Sequence, residues 1–179
     1  MRIKSLIALA ACSACLVLNR ARADEPKLDP HLEPLRPLLG KTWRGEFVNS
    51  KPDKPVVDVS RWERALNGKA VRMLHSINDG AYGGETIFTW DEASQTISYH
   101  YFTTEGFTTQ GTMALKDGKL VTNEKVTGDA DGVTEVRGAT EFLPDGAFHV
   151  KSEYCVKGEW KPGHEATYRE APTASVNFK

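Results

Sequence analysis

Imidazoles, phenols and thiols are the groups in this 179-residue chain whose chemistry goes beyond plain charge. The histidines are His31, His75, His100, His149 and His164, and the tyrosines are Tyr82, Tyr99, Tyr101, Tyr154 and Tyr168. An imidazole titrates near neutrality and serves as a base or metal ligand. A phenol carries a hydrogen-bond donor on an apolar ring. No motif commits any of them to one reaction. His164-Glu165-Ala166-Thr167-Tyr168 begins like H-E-x-x-H but ends on tyrosine, and it reads as a strand, so a zincin is rejected. Asp129-Ala130-Asp131-Gly132 has the acids of a calcium loop, but its glycine comes too early and the bidentate glutamate is missing. There is no G-x-S-x-G elbow, phosphate loop or G-x-G-x-x-G. Cys155 and His149 lie six residues apart on one strand, about 20 Å, so they form no dyad. A metal centre from His75, His164 and a carboxylate needs an adjacency the spacing does not supply, and no metal is expected.

The remaining cysteines, Cys12 and Cys15, fall inside an export signal read over Met1–Ala23. Arg2 and Lys4 start it, Leu6 to Leu18 is uncharged, and Ala21-Arg22-Ala23 is a small-x-small cleavage site before Asp24. The uncharged run rises only about 20 Å as a helix, short of the ~30 Å hydrocarbon core. The rival is a lipoprotein, with Leu9-Ala10-Ala11-Cys12 as lipobox. Cleavage after Ala23 leaves 19 basic residues against 24 acidic ones, a net charge of −5. That balance excludes a broad nucleic-acid footprint and disfavours anionic membranes. One remaining cysteine excludes a disulfide framework. The protein is expected to be periplasmic or secreted, without membrane insertion after cleavage.

These groups must be positioned by strands. Asn67-Gly68 and Asp117-Gly118 are hairpin signatures, and five further X-Gly pairs keep a rhythm of one turn per 11 to 14 residues. No interval holds a crossover helix. The strands fall at 42–48, 56–66, 69–78, 84–90, 95–103, 107–115, 119–127, 133–143, 147–156 and 159–169. Closing a ten-strand meander removes both edges, so the fold class is all-β, an antiparallel up-and-down barrel, with a β-sandwich as runner-up. Residues 24–40 form a lead-in and short helix, started by Asp29-Pro30 and broken by Pro34 and Pro37. The barrel spans 41–170, and 171–179 is a flexible tail.

Alternation assigns the faces. Val71, Met73, His75 and Ile77 point inward, as do Thr86, Phe88 and Trp90, then Ile97, Tyr99 and Tyr101. Phe107, Thr109, Met113 and Leu115 follow, and later Val136, Phe148, Val150, Tyr154, His164 and Tyr168. Glu135, Arg137 and Glu153 point outward, and so does Cys155. The second strand is split, Val57 and Val59 against Trp62 and Leu66, which suggests a bulge. The seventh has no clear inner face. Buried hydroxyls and imidazoles without partners cost ~1–3 kcal/mol each. A lumen holding several of them calls for water or a ligand. The residues expected to line a binding lumen are Met73, His75, Phe88, Tyr99, Tyr101, Met113, Tyr154 and Tyr168.

The stretch Leu38-Leu39-Gly40-Lys41-Thr42-Trp43-Arg44-Gly45-Glu46-Phe47 resembles the opening of calycin-like, lipocalin-like bacterial barrels. Two groups share it: an uncharacterised family of small barrels, and the nitrobindin-like haem-binding barrels. Arg61-Trp62-Glu63 leading to Leu66-Asn67-Gly68-Lys69 also resembles the first group. The resemblance to the second implies haem held by His164, although Gly163 separates Pro162 from His164 where that pattern joins them. No C-x-x-C-H exists, so covalent haem is excluded. The leading expectation is an exported barrel that binds a small, largely apolar molecule and needs no cofactor. Behind it stand a haem protein using His164 and a cofactor-independent enzyme with His75 as base.

N-terminal sequencing of protein taken from the cell envelope is expected to read Asp24 first, with no lipid attached. A modified Cys12 at that position overturns this in favour of the lipoprotein.

Overall fold

The computed structural model describes residues 27–128 and 130–179. The export stretch and Asp129 therefore lie outside the described residues. Ten strands follow one another around a closed barrel: β1 (Thr42–Phe47), β2 (Val57–Ala65), β3 (Ala70–Ile77), β4 (Tyr82–Asp91), β5 (Thr96–Thr103), β6 (Thr108–Lys116), β7 (Lys119–Thr127), β8 (Val133–Phe142), β9 (Phe148–Val156) and β10 (Glu159–Glu170). Each pairs antiparallel with its sequence neighbour, and β1 closes the ring on β10 with Gly45 opposite Tyr168. The sandwich alternative is set aside, because no edge strand remains. Hairpin turns sit where the X-Gly pairs demanded them: Asp117 and Gly118 take φ of 51° and 78°.

Before β1, where a short broken helix was expected, residues Pro30–Leu38 wind as a 3-10 segment. Pro34 and Pro37 remove backbone donors, and each disfavours the α conformation in the residue before it. At three residues per turn, Leu32, Leu35 and Leu38 form a single line, and all three are buried. Asp29 caps the start by accepting from the His31 N–H. The leucine line plugs one end of the barrel against Trp43, Val71, Leu120 and Phe148. The plug is held by backbone and ring donors: Gly40 N–H to the Trp62 carbonyl at 2.9 Å and Trp43 Nε1–H to the Leu38 carbonyl at 3.1 Å. Lys27 lies at this end too, its carbonyl accepting from Arg64 Nη1.

Two details depart from the alternation reading. β2 has no bulge; its register runs unbroken from Asp58–Ile77 to Ala65–Ala70. Its inner face is Asp58, Ser60 and Trp62, all buried, so the two valines point outward. Leu115 shares the inner parity of β6 but is 59% exposed, because it stands at the Asp117-Gly118 tip beyond the barrel wall. Cys155 does point outward, yet it is buried beside Trp160, whose ring carries the Arg137 guanidinium at 4.2 Å. The irregular register in β10 falls between Pro162 and Glu165, where Pro162 has no N–H for the ladder.

After β10 the last residues run back along the outer wall to the opposite end. Ala171 N–H bonds Thr42 near the plug, Asn177 N–H bonds the buried Ser76 hydroxyl, and Lys179 pairs with Asp79 at 3.7 Å. Among the described residues no helix is long and apolar enough to cross a membrane.

Leu35→Ala is expected to cost about 2–5 kcal/mol in urea unfolding, since the plug cannot collapse around a missing side chain. Leu115→Ala is expected to change stability by less than about 0.5 kcal/mol. Equal costs would mean that the plug does not carry the core.

Candidate functional site

A ring of ten strands is wider than its own side chains fill. The lumen keeps a cavity of about 820 Å³, within the ~300–1,000 Å³ range of small-molecule sites. The meander gives it two unlike halves. The 3-10 plug and the strands beside it contribute Leu38, Trp62, Phe88, Met113, Leu120 and Phe148. Strand ends at the other side contribute Asp58, His75, Tyr82, Tyr101, Glu124, Tyr154 and His164. The deep half is apolar, and the half toward the mouth is hydrogen-bonding.

All eight residues expected in the lumen line this cavity, and His164 lines it with them. Alternation had not found Asp58, Tyr82 and Glu124. Asp58 was hidden between two valines of the opposite parity. Tyr82 sits in a glycine-rich stretch that reads as turn, whereas β4 begins there. Glu124 is on β7, whose inner face is Leu120, Thr122, Glu124 and Val126.

The polar half is organised as three networks. In the first, Asp58 is the hub: the Tyr168 hydroxyl donates to Oδ2 at 2.9 Å, and Oδ1 lies 2.8 Å from His75 Nδ1. His75 Nε2 is 2.7 Å from the Tyr101 hydroxyl, which is 2.7 Å from that of Tyr82. A neutral imidazole giving its Nδ1–H to Asp58 accepts from Tyr101 at Nε2. In the second, Nδ1 of His164 is 2.9 Å from both the Ser152 and the Tyr154 hydroxyls, while Ser152 also donates to the His164 carbonyl. In the third, Thr109 donates a short hydrogen bond to Glu124. Beside Glu124 the buried Tyr99 hydroxyl meets no partner at hydrogen-bonding geometry, and neither does the buried Trp62 Nε1–H.

Four of the five lumen phenols lie against a glycine. A Cβ on Gly45 would stand 2.9 Å from the Tyr168 ring, one on Gly84 2.5 Å from Tyr101, one on Gly111 2.6 Å from Tyr99, and one on Gly163 2.9 Å from Tyr154. Mid-strand glycines commonly mark such close approaches.

Burial sets the ionisation of the site. It pushes the Tyr99, Tyr101, Tyr154 and Tyr168 hydroxyls up, so they remain donors. It pushes the Glu124 carboxyl up and the His164 imidazole down. His75 has the carboxylate-held geometry of a general base, but its Nε2 faces Tyr101, so a proton would have to pass through that phenol. Among the described residues no cluster of three or more His, Cys, Asp or Glu is arranged to hold a metal ion. Phe47 stacks on the His164 imidazole at 5.3 Å.

No protein-family model matches the chain, and no curated protein matches it. Among solved structures, Rv2717c from M. tuberculosis aligns with a TM-score of 0.59 at 13% identity, over 81% of this chain and 99% of that one. The likeness supports the barrel fold.

The raised Glu124 carboxyl makes a pH-dependent prediction. Its folded pKa lies above the ordinary 4.5, so ionising it opposes folding at neutral pH. As pH falls through the folded pKa the native state takes up the proton first and the penalty fades, vanishing below 4.5. Glu124→Gln is therefore expected to raise Tm at neutral pH, with a gain that shrinks on acidification. A pH-independent gain would show that ionisation is not the cause.

Proposed function

We propose that this chain is a binding protein of the calycin-like kind, which takes one small, largely apolar molecule into its lumen. The observation that carries the reading is the 820 Å³ cavity with an apolar floor and a hydrogen-bonding upper half. The floor around Trp62, Phe88 and Met113 supplies contact area, roughly 25 cal/mol for each Å² removed from water. The phenols and His75 orient whatever polar group the molecule carries. Export through the N-terminal signal would place this carrier outside the cytoplasm.

The test is a fluorescence titration with Nile red, a neutral apolar dye, followed against Val136→Trp. Val136 lines the cavity, and an indole there occupies the space a ligand needs. Saturable uptake of one dye per chain, weakened at least about tenfold in a folded Val136→Trp variant, is expected; tenfold corresponds to ~1.4 kcal/mol. No saturable uptake, or equal uptake by the folded variant, overturns the reading.

A further inference from the structure

The charge of the cavity wall narrows the ligand. Asp58, Glu105, Glu124 and Asp131 line the cavity, and no lysine or arginine does among the described residues. Glu105 and Asp131 are exposed at the mouth, and Asp58 and Glu124 stand within. The two inner acids differ in what already answers them. Asp58 is engaged at both oxygens, by His75 and by Tyr168. Glu124 accepts from the Thr109 hydroxyl and has the Tyr99 hydroxyl beside it. Next to Glu124 sits the Tyr99 hydroxyl, with only 4% of the residue exposed and no hydrogen-bond partner. A buried polar group left unpartnered is costly, and its position in the wall gives a ligand something to bond.

We propose that the ligand is a cationic amphiphile, an alkyl or aryl amine whose ammonium group sits at Glu124 and Tyr99 while its apolar body fills the floor. This deepens the lumen-binding reading and rests on it. An ammonium has donors only, which suits a carboxylate and a phenol oxygen, and Tyr82, Tyr101 and Tyr154 line the same space. The same wall rejects a fatty acid. A carboxylate brought between Asp58 and Glu124 would be desolvated with no cation to pair it. Burial raises the Glu124 carboxyl, and a cation bound beside it opposes that effect.

The experiment is calorimetric titration of the whole mature chain with decylamine, decanol and decanoate, each below its micelle concentration at neutral pH. The three share one tail and differ in head-group charge. Decylamine is expected to bind at least about tenfold more tightly than decanol, with decanoate weaker than both. In Glu124→Gln the amine is expected to lose about tenfold of its advantage over decanol. Decanoate or decanol binding as tightly as the amine overturns the cationic assignment and leaves lumen binding standing. Failure of all three tails to bind overturns lumen binding itself. Should Glu124→Gln not fold, the three-ligand series on the unmodified chain decides the matter alone.

Discussion

Four phenol rings share the inside of one small barrel because four glycines leave them somewhere to lie. Gly45, Gly84, Gly111 and Gly163 each present bare backbone where any side chain would strike a tyrosine ring. Glycine in a strand weakens it by the entropy it loses on folding, and here that cost is offset by the ring covering the gap. The seating also sets direction. Lying flat on the backbone of a neighbouring strand, Tyr168 reaches Asp58 and Tyr101 reaches His75. The hydrogen-bonding half of the lumen therefore depends on positions that carry no side chain at all.

The division of the lumen follows from the same economy. A core of only apolar residues would have closed up, as it does around the leucine line of the 3-10 segment. Beyond that plug, groups that need partners are tied into networks, and each network holds its members against the wall. Asp58 binds two groups from two other strands, so β2, β3 and β10 are linked across the interior as well as along their ladders. A polar network that satisfies itself is rigid. It leaves space open because collapsing inward would break those bonds.

Most of the scaffold was legible from turn spacing and alternation, since both follow from local chemistry. Ten strands, their order and the inner faces of β3, β5 and β9 came from residues two apart along one strand. What escaped was set across strands. Val57 and Val59 outvoted Asp58 because an isolated carboxylate normally faces water. The closing ring inverts this by giving it Tyr168, 110 residues away. Glu124 was unreadable for a like reason: β7 alternates polar with polar, and only its neighbours decide which face is wet. The 3-10 segment was misjudged by period alone, because leucines three apart fit both a broken α-helix and a tighter winding.

The two ends of the described chain lie at opposite poles of the barrel. Lys27 sits by the plug, at Gly68 and Arg64, whereas Asn177 and Lys179 are fastened beside Asp79, at the turn between β3 and β4 next to the mouth. The described chain thus enters the barrel at its closed pole and finishes beside the opening. Anything joined after Lys179 would stand at the threshold and share the space through which a guest must pass.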